Sequence, residues 1–170
     1  LCSGSYNNIF SRNNMSRNKA GIIFIGGYAV NNMVSGNTIS EITGGFGAIE
    51  FWTDGKNNTI SGNRIADCSW SISLGHCNNS MIVGNTILNG NVGISIAGSS
   101  NNTALGNQLD GVDNSVVLHV LTVDGSPIKS LYNMIVNNSI TRSRYVGIEF
   151  YDNSDNNTAT GNTITSIDYG

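Results

Sequence analysis

Apolar residues in this chain come in short groups, and the groups themselves recur in register. Seven segments share one pattern: NNIFSRNNM at 7–15, NNMVSGNTI at 31–39, NNTISGNRI at 57–65, NSMIVGNTI at 79–87, NNTALGNQL at 101–109, YNMIVNNSI at 132–140 and NNTATGNTI at 156–164. Aligned on Asn13, Asn37, Asn63, Asn85, Asn107, Asn138 and Asn162, they are spaced by 24, 26, 22, 22, 31 and 24 residues. A further apolar run follows eight to eleven residues after each of the first six anchors: GIIF at 21–24, AIEF at 48–51, SISL at 71–74, GISI at 93–96, SVVL at 115–118 and GIEF at 147–150. Alternation within it has period two, the signature of a strand with one face in a core. Ile22 and Phe24, Ile49 and Phe51, Ile72 and Leu74, Ile94 and Ile96, Val116 and Leu118, and Ile148 and Phe150 are expected to point inward. Ile23, Glu50, Ser73, Ser95, Val117 and Glu149 are expected to point outward.

One unit of 22–26 residues suits a single coil of three short strands joined by turns. A coil alone buries too little to offset the ordering of its backbone, whereas stacked coils bury one another's apolar faces. The fold class read from this pattern is all-β, a right-handed parallel β-helix: a single-stranded solenoid of about seven coils spanning residues 1–170. An antiparallel sandwich would need a hairpin signal every 8–12 residues and would not hold the register. A disordered chain has no force to keep apolar residues in phase.

The asparagines acquire a physical role in such a stack. At equivalent corners their amides can bond from coil to coil, and Asn and Gly tolerate the left-handed backbone of tight turns. The ladder or turn positions are Asn13, Asn37, Asn58, Asn63, Asn85, Asn107, Asn138 and Asn162. The 31-residue step contains LTVDGSPIKSLY at 121–132, with the single proline, and is expected to form a protruding loop. Leu1 matches the last position of the apolar run, and Gly170 falls where the next run should start. The pattern therefore predicts a chain cut in mid-coil at both ends, with further coils of a larger parent protein as its neighbours.

Composition narrows the partners. The chain has 27 Asn, and its 11 acidic and 8 basic residues are scattered singly with a net charge of −3. Without a basic stripe, nucleic-acid binding has no support. The longest apolar stretch, GIIFIGGYAV at 21–30, is too short to span a membrane, so no membrane insertion is expected in this segment. Cys2, Cys68 and Cys77 show no metal-ligand spacing. Cys68 and Cys77 flank one short strand, so buried thiols are expected ahead of a disulfide.

The NNTISGNTI…GIxL unit resembles the parallel β-helix repeat of the NosD-like and pectin-lyase-like superfamily, over essentially the whole chain. The resemblance implies a secreted, periplasmic or cell-surface protein. It leaves several activities open, because one fold hosts many functions: polysaccharide lyases, pectin hydrolases, alginate epimerases, non-catalytic surface proteins, and NosD itself, a periplasmic accessory protein for copper-site assembly. No segment matches the epimerase motif. The aspartates are dispersed, and Asp110 with Asp113 is an unpromising carboxylate pair for glycoside hydrolysis. Arg142 and Arg144 beside Glu149 and Asp152 form the one lyase-like cluster, better explained as solvated charge. His76 and His119 fall two coils apart, and Met15, Met33, Met81 and Met134 substitute in the repeated strand, which suits packing better than a thioether ligand set. No cofactor is implied. The position after the second run holds Trp52 and Tyr151, beside the outward Glu50 and Glu149; exposed aromatics on a long flat sheet suit stacking against a polysaccharide. The expected function is thus a structural or carbohydrate-associated segment without an identified catalytic site. A carbohydrate-active lyase, hydrolase or epimerase, or a NosD-like accessory protein, is the alternative.

Overall fold

Each short strand of the repeat pairs with its own copy in the next coil. This is how a chain with period-two alternation and a fixed repeat length satisfies its backbone. The computed structural model describes residues 4–151 and 154–166. Seven three-residue strands, from Ile9–Ser11 and Met33–Ser35 to Met134–Val136 and Thr158–Thr160, form one entirely parallel sheet. The strands after the anchor asparagines and those of the second run stack in the same parallel manner. They merge into a 13-stranded sheet because Thr86–Ala97 and Gln108–His119 pass through the intervening corner without a break. The architecture is a parallel β-solenoid of about seven turns.

The dipeptides NN and GN have a simple structural meaning. The first residue takes the left-handed conformation, at Asn31, Asn57, Asn79 and Asn101 on one corner and at Gly36, Gly62, Gly84, Gly106 and Gly161 on the next. The second residue turns its amide into the stack. Two ladders result. Asn13, Asn37, Asn63, Asn85, Asn107, Asn138 and Asn162 form one; Asn8, Asn32, Asn58, Ser80, Asn102, Asn133 and Asn157 form the other. At Asn63, Nδ2 donates to Asn85 Oδ1 at 2.9 Å and to the Val34 carbonyl at 2.9 Å, while Oδ1 accepts from both the backbone N and the Nδ2 of Asn37. Every donor and acceptor of the buried amide is thereby used.

Between the ladders lies the core. Ile39, Ile65, Ile87, Leu109 and Ile140 fill one column, Val34, Ile60, Ile82, Ala104 and Ile135 another, all buried. The inward pairs of the second run fill a third face, from Ile22 and Phe24 to Val116 and Leu118. Phe24 stacks on Phe51 with centroids 4.2 Å apart, and Phe10 meets Phe24 edge-on. Burying each large aliphatic side chain is worth about 1.5–3 kcal/mol. Cys68 and Cys77 are buried, and Cys2 lies outside the described residues.

Three details depart from the sequence pattern. Phe150 was expected inward but is 41% exposed, because no later second-run strand among the described residues covers it. Ile23, Ser73 and Ser95 are on the outward side as expected but buried, the two serines at the bottom of recesses between larger side chains. Met33, Met81 and Met134 do not pack in the core: they sit at the first, outward position of their strands, and only Met15 packs against the core.

The extra residues of the long coil form an antiparallel hairpin, Leu121–Val123 with Ser126–Ile128. Its two-residue turn is Asp124–Gly125, both at positive φ, the turn whose twist suits a tight hairpin. The hairpin packs close to Gly98, where a Cβ would lie 2.6 Å from that of Leu121.

Candidate functional site

The register of the second run places Glu50, Ser73, Ser95, Val117 and Glu149 in one outward column, one residue per coil. This column is the floor of a groove along the solenoid axis. The next outward position forms one wall: Trp52, Gly75, Ala97 and His119 follow in register, with Tyr151 after Phe150. The opposite wall comes from residues that precede the run, namely Phe46, Trp70, Val92 and Asn114.

At one end, Phe46, Trp52 and Trp70 surround a recess of about 390 Å³ above Glu50 and Ser73. Trp52 is 37% and Trp70 41% exposed, so each indole keeps a free surface toward solvent. Trp52 is held in place by its neighbour: its ring lies across Gly75, where a Cβ would come within 2.5 Å of it. A larger residue there would push the indole away. Glu50 accepts the backbone N–H of Gly47 at 3.0 Å, which fixes the carboxylate at the recess edge. Trp52 also borders a shallower hollow with Asp54, His76 and the hairpin residues Leu121 and Val123. There His76 Nδ1 pairs with Asp54 Oδ1.

Toward the other end, Trp70 is shared with a second recess of about 240 Å³, lined by Val92, Ser95, Asn114, Val117, His119 and Glu149. His119 Nε2 lies 3.1 Å from Ser95 Oγ, and its Nδ1 lies 3.1 Å from the Val120 carbonyl. Tyr151 is 54% exposed, four coil steps from Trp52 along the same wall.

The charged candidates are not assembled for chemistry. Arg142 makes a two-pronged pair with Asp110, Nε to Oδ1 at 2.6 Å and Nη2 to Oδ2 at 2.5 Å, and Thr141 donates to Asp110 as well. The Arg142 hydrogen bonds, aided by that of Thr141, hold the Asp110 carboxyl below the usual carboxylate range. Arg144 lies over the Tyr145 ring. Asp152 lies outside the described residues. Asp110 is therefore tied to Arg142 rather than coupled to Asp113.

Sequence reasoning missed Phe46, Trp70 and the pairing of Ser95 with His119. Phe46 lies outside the strands, and Trp70 opens its strand at a position filled by Val92 and Asn114 in the next coils, so no residue type repeats there to draw attention. Ser95 and His119 are 24 residues apart, one 22-residue coil plus two positions, and that spacing held the available signal.

Parallel β-helix repeats with a groove along one outer face define the class to which this chain belongs. Within that class it belongs to the NosD family: the family described as "Periplasmic copper-binding protein (NosD)" matches residues 1–118 and again 54–170. No match was found among curated proteins or among solved structures.

The family description raises the question of copper. Among the described residues, no group of three His, Cys, Asp or Glu side chains converges. His76 is paired with Asp54, and both ring nitrogens of His119 have partners. Burial pushes the Cys68 thiol up, away from the thiolate that binds metal. Met33, Met81 and Met134 share one outward column, but a threonine coil separates each from the next. Neighbouring thioethers thus start about 9–10 Å apart, too far for a preformed chelate. Among the described residues, the donor set does not fit a built copper site.

Proposed function

We propose that this chain is a rigid scaffold segment of a protein outside the cytoplasm, and that its outer groove binds polysaccharide. The β-helix is consistent with a structural or carbohydrate-associated role, and the family's periplasmic description supports the location in general terms. The observation that carries the reading is the recess of Phe46, Trp52 and Trp70 over Glu50, continuing along the axis to Glu149 and Tyr151. Aromatic faces offer large contact area at low entropy cost, and carboxylates accept hydrogen bonds from sugar hydroxyls. An axial groove about 19 Å from Trp52 to Tyr151, taken from strand spacing, suits an extended chain better than a single small ligand.

Charge selects within the glycans. Neither recess is lined by Lys or Arg among the described residues, while Glu50 and Glu149 are. A polyuronate would meet like charge without compensation, so neutral glycans are the favoured ligands. The test is retention in native affinity gels containing xylan, glucomannan, mixed-linkage glucan, pectate or alginate. Retention by a neutral glycan, weakened at least five-fold in Trp70→Ala and in Trp52→Ala, is expected. No retention by any gel, or retention untouched by both substitutions, overturns the reading.

A further inference from the structure

The second recess contains a pair of side chains that glycan binding does not need. Ser95 stands on the groove floor and His119 on the wall one coil later, and their side chains meet at 3.1 Å through Oγ and Nε2. The imidazole is oriented from its other side, with Nδ1 at 3.1 Å from the Val120 carbonyl. A carbonyl can only accept, so Nδ1 carries the proton and Nε2 is left as an acceptor for the Ser95 hydroxyl. A hydroxyl, a base within hydrogen-bond reach and a third group that sets the base's tautomer are the parts of an activated nucleophile.

We propose that Ser95 and His119 form a nucleophile–base dyad that hydrolyses small O-acyl esters, such as the acetyl groups of an acetylated glycan. Only the choice of glycan as the alcohol part rests on the groove reading; the acyl chemistry stands on the dyad. His119 Nε2 takes the Ser95 Oγ proton as Oγ forms a bond to the acyl carbon. The carbon–oxygen bond to the sugar breaks, and the sugar oxygen leaves with the proton from His119. Water then attacks the acyl-serine, His119 takes its proton, and the carboxylic acid is released as Ser95 Oγ regains a proton.

The surroundings fit this use. Asn114 lines the same recess from the opposite wall, about 10 Å along the strand from the level of Ser95; one of its amide N–H groups donates to the Asn91 carbonyl at 3.3 Å, and the other can meet a sugar oxygen. Glu149 stands two coil steps from Ser95 in the floor column, about 9–10 Å by strand spacing. It is therefore placed to meet sugar hydroxyls rather than to complete the dyad, a task that falls to Val120. Ser73, the residue before Ser95 in the same column, has Ala97 rather than a histidine on the corresponding wall position one coil later. The pairing is therefore particular to this coil and not a by-product of the repeat.

The experiment treats the whole chain with a fluorophosphonate probe and maps the adduct by peptide mass spectrometry, with p-nitrophenyl acetate and acetylated xylan as substrates. The expected result is one phosphonyl group on Ser95 and acetate release from both esters. Ser95→Ala and His119→Ala should each lower acetate release at least 100-fold, with circular dichroism unchanged. Acetate from p-nitrophenyl acetate but not from acetylated xylan would keep the dyad and reject the glycan. If Ser95 is not labelled, or if His119→Ala labels as fast as the parent, the proposal is overturned. In that case the pair only satisfies a buried hydroxyl, and the substitutions would lower the unfolding midpoint alone.

Discussion

The two amide-bearing corners and the second-run face belong to the same coils but follow opposite rules. At the corners asparagine repeats with Ser80 as an exception, interior amides such as Asn63 are saturated by their neighbours, and Asn37, Asn63, Asn85, Asn107 and Asn138 are buried to about the same degree. On the outer side of the second run the column reads Ile23, Glu50, Ser73, Ser95, Val117 and Glu149, with no two adjacent coils alike except the serines. Repetition marks positions where coil must bond to coil. Variation marks positions where no bond from coil to coil is demanded of the side chain, and it is beside them that the aromatics and carboxylates collect.

The difference can be broken most severely at a ladder. Replacing Asn63 with Leu removes two donors and two acceptors from a buried site and orphans the Val34 carbonyl and the Asn37 amide. A loss of about 3 kcal/mol is expected, read as a lower urea midpoint; an unchanged midpoint would show that the ladders are not what joins the coils. Next in size is Gly75→Val. Its Cβ would meet the Trp52 ring at 2.5 Å, so the indole must move. We expect about 1–3 kcal/mol of destabilisation from overpacking, together with a changed near-ultraviolet Trp signal and weaker glycan retention. A normal Trp signal would mean that Gly75 does not hold the groove wall.

Tyr132 offers a gain. It takes the left-handed corner position that asparagine fills in the other coils, with φ 56°. Tyr132→Asn should stabilise by about 1 kcal/mol, since a bulky side chain is penalised there. A fall in thermal midpoint would show that the tyrosine makes a compensating contact.

The smallest effect is expected at the exposed Asp110–Arg142 pair. The folded-state pKa of Asp110 is lowered, chiefly by its hydrogen bonds from Arg142, so its contribution is present above the ordinary aspartate value of about 3.9. It is lost as pH falls through the lowered folded value. Asp110→Asn should therefore narrow its stability gap from the parent on acidification; a gap that stays constant down to pH 2 would remove the ion pair from the account.

Much of this was legible in the chain. The anchor spacings of 24, 26, 22, 22, 31 and 24 reappear as the separations of the ladder bonds, because an amide can bond only to its own copy one coil away. The inward pairs from Ile49 and Phe51 to Val116 and Leu118 were readable for the same reason, since period-two alternation and burial are one fact. The second ladder was only partly readable: Asn58 was visible, but Ser80 interrupts the pattern, and its hydroxyl accepts the Asn58 N–H that an amide accepts elsewhere.

The sequence by itself determined the repeat, the strand direction and the inward residues, each of which is enforced once per coil. Glu50, Trp52, Glu149 and Tyr151 were readable on this face, and tertiary structure decided what joins them in the groove. Phe46 and Trp70 become one wall with Trp52 opposite because the segments before the second run bring them to the same recess. Ser95 reaches His119 because the 22-residue coil sets Ser95 beside Val117, and His119 stands two residues further along that neighbouring strand. Such contacts occur once, are set by corner geometry rather than by period, and so leave no pattern along the chain.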